Sequence, residues 1–208
     1  LIASLPGIYS LFSSIPGIFN FFASGRFTAR MIKKMTGFAA ERSIPLLAPL
    51  TFRRWLKRNL PVLNPASPVG EVCLFIDEFT NHNDLNAGVA TATLLTRLGY
   101  RITIVPNAAS ARTYISKGFL RKARKLIIKN IEILSPFISE TRPLIGIEPS
   151  AILGFRDEFP DLAGEEYRRE ALRLSQNTCT IEEFIAREFS EGRIKRESFT
   201  DEDTEVLV

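Results

Sequence analysis

The chain has 208 residues with 45% hydrophobic and 24% charged side chains, a globular balance that excludes wholesale disorder, collagen-like repetition and a multi-span membrane protein. Two cysteines, Cys73 and Cys179, and one histidine, His82, exclude a disulfide framework, a self-contained zinc or iron–sulfur site and a His-rich metal centre. The net charge of +4 is uneven. Residues 1–66 carry nine Lys/Arg against Glu41 alone, whereas residues 156–208 carry eight basic and fifteen acidic groups. The acidic end argues against nucleic acid as a partner.

Residues 1–25 are strongly apolar, with Leu5-Pro6-Gly7-Ile8-Tyr9 echoed by Ile15-Pro16-Gly17-Ile18-Phe19. The two Pro-Gly pairs interrupt any spanning helix, and no charged flank marks a signal peptide. The pattern predicts short helices with proline in the first turn, packed on a neighbour or laid on a membrane surface. Residues 26–60 are basic and helical, with Phe27, Met31, Met35 and Phe38 at helical spacing. The stretch 60–70 holds three prolines and reads as a linker.

Beyond the linker, apolar runs and amphipathic stripes alternate. Val72–Ile76, Ile102–Val105 and Pro143–Ile147 read as strands. Residues 86–98 read as a helix ended by Gly99. Residues 116–139 read as one long helix with Leu120, Ala123, Ile127, Ile131, Leu134 and Ile138 on its stripe. A further helix is expected after an N-cap at Pro149-Ser150, then helices near 164–175 and 180–190, with Cys179 in the loop between them. This order predicts an α/β fold: an open parallel sheet with crossover helices, a Rossmann-like half, preceded by a helical segment. Three regions follow: 1–66 helical, 67–163 α/β, and 164–208 a helical acidic extension. Leu1 in place of Met and the apolar close Glu205-Val206-Leu207-Val208 are read as marks of a piece of a longer chain.

Ligands of such sheets gather beyond the carboxyl ends of the strands. Three loops qualify: Asp77 to Asp84, Pro106 to Arg112, and Glu148-Pro149-Ser150. Their candidate site residues are Asp77, Thr80, Asn81, Arg112, Ser116, Lys117, Glu148 and Ser150. Capping and turn chemistry would also explain the Asp, Asn and Thr of the first loop. No Gly-x-Gly-x-x-Gly follows the first strand and no Walker A sequence is present, so a nucleotide site is not expected.

Four strings in order carry a resemblance: Leu74-Phe75-Ile76-Asp77-Glu78-Phe79-Thr80-Asn81, Ala111 to Leu120, Pro143 to Ala151, and Phe155 to Leu162. Together they resemble the cysteine-rich CCG region of FAD-linked oxidases joined to iron–sulfur modules. Relatives of that kind include D-lactate and glycolate dehydrogenases and the iron–sulfur subunit of anaerobic glycerol-3-phosphate dehydrogenase. Where those proteins carry Cys-Cys-Gly-Arg, this chain has Ala109-Ser110-Ala111-Arg112; where they carry Pro-Ser-Cys, it has Pro149-Ser150-Ala151. Ala109, Ser110 and Ala151 supply no soft thiolate, so no cluster is expected in this fragment. The resemblance implies FAD and [4Fe–4S] elsewhere in a full-length 2-hydroxy-acid oxidoreductase, including a second half beyond Val208. It implies the rest of that polypeptide or its partner oxidoreductase subunits as partners, and a cytoplasmic place with peripheral contact at the inner face of the membrane. This part would then be a scaffold or docking surface in electron transfer. Two rivals stand beside it: a non-enzymatic module binding a partner subunit or membrane surface, and a small-molecule α/β enzyme using the Asp77 and Glu148 carboxylates.

Overall fold

The computed structural model describes residues 5–36 and 39–200. Phe38 and the Glu205–Val208 run lie outside the described residues.

Four strands form one parallel sheet: β1 (Gly70–Phe75), β2 (Tyr100–Ile104), β3 (Leu144–Gly146) and β4 (Thr178–Thr180), in the order β2-β1-β3-β4. The central strand β1 is an unbroken apolar run because both its faces are covered. Val72, Leu74 and Ile76 belong to one core with Phe52, Leu56, Leu95 and Phe184. Cys73 and Phe75 belong to the other, with Ile127, Ile131, Phe155 and Phe159. That alternation is the period-2 geometry of a strand expressed as two separate cores.

The helices follow the sheet. α1 (Leu5–Phe12), α2 (Pro16–Ser24), α3 (Arg26–Thr36) and α4 (Phe52–Leu63) precede it. Pro16 opens α2 as the proline pattern predicts. None of the described helices is long and apolar enough to cross a membrane. α4 runs into the expected linker and contains Pro61, with Phe52, Leu56 and Leu60 buried on one face. Between β1 and β2 come α5 (Glu78–His82) and α6 (Leu85–Arg97). α6 buries Gly88, Ala92 and Leu95, while Val89 and Leu94 are only half-buried. A Cβ on Gly88 would lie 2.7 Å from the Phe52 ring, so glycine lets α4 approach α6.

The helix expected over 116–139 is shorter, α8 (Leu120–Leu134), and a separate turn of helix, α7 (Arg112–Ile115), precedes it. Gly118, with a left-handed φ of 73°, lies in the turn that keeps the two apart. Ala123, Ile127, Ile131 and Leu134 are buried as expected, but Leu120 at the start is exposed. After β3, α9 (Pro149–Ile152) is capped by Glu148 with Pro149 at its first position, not by Ser150. α10 (Glu158–Leu162), α11 (Glu165–Gln176), β4 and α12 (Ile181–Ser190) complete the described chain. β4 places Cys179 on a strand, where a loop was expected. Three residues are too short for any periodic signal, and the strand exists because β3 offers it a free edge. Thr180 and Glu183 close a reciprocal capping box at the start of α12.

Candidate functional site

The three strand-end loops meet at one edge of the sheet, and hydrogen bonds join them in sequence. Glu78 Oε2 accepts from the Ser110 backbone N–H at 3.0 Å, and Glu78 Oε1 accepts from Ser110 Oγ at 2.8 Å. This ties the first loop to the second. Arg112 Nη1 donates to Glu148 Oε1 at 2.8 Å and also bonds Ser150 Oγ, which itself donates to Glu148 Oε1 at 2.5 Å. This ties the second loop to the third. Asn130 of α8 fixes the second loop from below: its Oδ1 accepts from Ala108 N at 2.8 Å, and its Nδ2 donates to Ala109 O at 2.9 Å.

The predicted residues divide among three situations. Asp77 is buried at 2% exposure and caps α5, its Oδ1 accepting from Phe79 N and Thr80 N. Burial pushes its carboxyl pKa up, against the pull of those N–H groups. Thr80 is equally buried. Arg112, Ser116, Lys117 and Ser150 line one cavity of about 510 Å³ together with Ser110 and Glu158. Ser116 and Lys117 are exposed there, and Arg112 is neutralised by Glu148. Asn81 lines a second, smaller cavity of about 230 Å³ on the other side of the Glu78–Ser110 bridge. Neither Asp77 nor Glu148 lines either of these two cavities.

Sequence reasoning missed the residues that shape the smaller cavity. Arg53 at the start of α4, Asn107 after β2, and His82 line it with Asn81 and Glu78. Arg53 Nη2 donates to Asn107 Oδ1 at 2.6 Å and Nη1 to Val105 O at 3.4 Å. The Arg53 backbone N–H donates to Asn81 Oδ1 at 3.0 Å, so one carboxamide seats the whole α4 terminus. Asn81 Nδ2 lies 3.1 Å from His82 Nε2, while His82 Nδ1 is buried without a partner among the described residues. Burial, opposed by Glu78 and aided by Arg53, holds His82 below its ordinary pKa. A signal for Asn130 did exist: it falls on the α8 stripe between Ile127 and Ile131, where a polar residue stands out.

Another hollow, about 700 Å³, lies away from the strand ends. It is formed by α2, α3 and the 40–46 segment, and no carboxylate or histidine lines it.

The donor set does not fit an iron–sulfur cluster. Ala109, Ser110 and Ala151 stand at the loop positions. Cys73 is wholly buried in β1 and its thiol is pushed up to about 11 by burial; the Cys179 thiol on β4 is raised to about 11 likewise. Two thiols also fall short of the four ligands that a cubane cluster takes. Among the described residues, no cluster of three His, Cys, Asp or Glu could hold a metal ion. The turn after β1, Ile76-Asp77-Glu78-Phe79, also lacks the glycines of a dinucleotide cradle.

The fold is thus an open parallel α/β sheet whose strand-end loops close on ion pairs and carboxamides. No family model matches the chain, and no solved structure matches it. Among curated proteins it is similar to D-2-hydroxyglutarate dehydrogenases. That of Escherichia coli (strain K12) is 27% identical over 108 residues, 52% of this chain and 11% of that protein. That of Pseudomonas putida is 28% identical over 131 residues, 59% of this chain and 13% of that protein. That of Haemophilus influenzae is 26% identical over 150 residues, 68% of this chain and 14% of that protein. The chain spans little more than a tenth of the length of these relatives. They support a distant relationship to 2-hydroxy-acid dehydrogenases.

Proposed function

We propose that this chain is a scaffold module of a dehydrogenase acting on 2-hydroxy acids of the D-2-hydroxyglutarate, lactate or glycolate kind. FAD and [4Fe–4S] centres belong to other parts of that enzyme. The observation that carries the reading is the repeated likeness to D-2-hydroxyglutarate dehydrogenases across more than half of this chain. The polar bridges Glu78–Ser110 and Arg112–Glu148 support a structural role: they hold the three loops together without a metal. In this reading the rest of the polypeptide or partner oxidoreductase subunits dock on the module, in the cytoplasm and at the inner face of the membrane.

A second reading, a non-enzymatic docking module, draws on the exposed Phe21, Phe27 and Met35 of α2 and α3, each more than 70% accessible. One experiment separates the two. The polypeptide or complex that carries this chain is purified and tested for reduction of an artificial electron acceptor with D-2-hydroxyglutarate, D-lactate and glycolate. Substrate-dependent reduction with flavin present in the preparation is expected. A preparation without flavin that turns over none of the three acids would overturn the dehydrogenase reading.

A further inference from the structure

The smaller strand-end cavity is lined by a cation, Arg53, that makes no ion pair among the described residues. Arg53 is partly buried, and burial lowers its pKa. No carboxylate lies within ion-pair distance of it among the described residues. A guanidinium has five N–H donors, of which Arg53 spends two, on Asn107 Oδ1 and Val105 O. Taking a charge partly out of water is unfavourable without a partner, so such charges are normally paired. The empty space beside Arg53 is the place for that partner.

We propose that this cavity binds a small monocarboxylate, with the Arg53 guanidinium as its charge partner and Asn81 and His82 as polar contacts. Three observations select that class. The site lies beyond the carboxyl ends of β1 and β2, between Ile76 and Asn107, where open parallel sheets take their ligands. Its volume of about 230 Å³ is below the range of pockets for drug-sized ligands and nucleotides. Glu78 also lines the cavity, but both its oxygens are engaged by Ser110 and it makes no ion pair with Arg53, so Arg53 can meet one added negative charge while a phosphate dianion exceeds it. The planar fork of arginine matches a carboxylate through two parallel hydrogen bonds. Ser10 of α1 also lines the cavity, so the apolar amino-terminal helix forms part of its rim.

The inference stands apart from the dehydrogenase reading, because it concerns binding by this chain without turnover. The isotope-labelled 208-residue chain is titrated by NMR with acetate, glycolate and D-lactate. Glycolamide serves as the neutral analogue and inorganic phosphate as the dianion. Saturable shifts at Arg53, Asn81 and Asn107 are expected with the carboxylates, weaker ones with phosphate and none with glycolamide. Arg53→Lys should weaken binding about tenfold, since it keeps the charge and loses the fork. Arg53→Met should abolish it, while Arg58→Met, an exposed charge on the same helix, leaves it unchanged. Ala109→Leu fills the cavity without touching Arg53, and should abolish binding even if Arg53→Met fails to fold. Equal binding of glycolamide, tighter binding of phosphate, carboxylate binding that survives Ala109→Leu, or no saturable shift at all would each overturn the proposal.

Discussion

The Tyr100 hydroxyl donates to Glu188 Oε2 at 2.6 Å, joining β2 to α12 across 88 residues of sequence. Glu188 is buried at 3% exposure, and Arg193 holds both its oxygens, Nε to Oε2 at 2.5 Å and Nη2 to Oε1 at 2.7 Å. Arg187 adds a third cationic contact at 3.3 Å. Cutting the carboxylate out leaves Tyr100 without its acceptor and the arginines crowded together. Glu188→Ala should therefore lose about 2–3 kcal/mol, and Tyr100→Phe about 1 kcal/mol. Urea unfolding of the three proteins, compared at constant m-value, checks both figures.

The same carboxylate makes the fold acid-sensitive. Hydrogen bonds from Arg193 come first among the causes that hold the Glu188 pKa down at about 2, against an ordinary value of 4.5. The folded value is below the unfolded one, so the ionised form stabilises the fold above the unfolded pKa. That contribution disappears as the pH falls from roughly 5 towards 2. Because both arginines are half-exposed, solvent screening limits it to about 1–2 kcal/mol. Stability measured against pH should show this fall in the wild type and a shallower one in Glu188→Gln.

His82 acts over a different window. Burial lowers its pKa from 6.5, so the folded protein favours the neutral ring. Stability is complete above the unfolded value and declines as the pH drops through about 6.5 towards the folded pKa. His82 is the one histidine of the chain, and its part of the slope just below neutrality is isolated by substituting it. His82→Gln should flatten denaturation midpoints between about pH 7 and pH 5.5, where the wild type slopes.

The parts of this fold that could be read from sequence are those where apolar residues repeat. The Val72–Ile76 run is buried on both sides of β1, and the α8 stripe packs through Ala123, Ile127, Ile131 and Leu134. The parallel order follows from that alternation. β4 was not legible, since Thr178-Cys179-Thr180 becomes a strand only when β3 stands beside it. Arg53 was not legible either. In sequence it is one of several cations on a basic helix, and only the packing of α4 beside β2 brings it to Asn107. Charged partners far apart in the chain, such as Tyr100 and Glu188, leave no local pattern at all.

Ala111 carries a mark of the loop's geometry. It is the single non-glycine with positive φ among the described residues, at 68°, and it is 1% exposed. An ordinary buried alanine loses stability on truncation to glycine, through the lost methyl and the looser unfolded chain. Here relief of the left-handed strain offsets that loss, so Ala111→Gly should stay within about 1 kcal/mol of the wild type. Ala111→Val adds a β-branch to a conformation that rejects it, and should cost about 3 kcal/mol or more. Thermal unfolding of the pair provides the comparison, and a large loss for the glycine variant would show that the loop does not need this backbone.

The loop positions also decide what the module does with iron. With Ala109, Ser110 and Ala151 in place, Cys73 and Cys179 are the two thiols of the chain, and burial raises the pKa of both. They sit on different strands: Cys73 pairs with Leu144 of β3, and Cys179 pairs with Ile145. Two inward thiols cannot supply the four ligands of a cubane cluster. Anaerobic reconstitution of the chain with iron and sulfide should therefore leave it colourless, with iron far below one atom per chain. A stable, stoichiometric cluster would show that residues other than these supply its ligands.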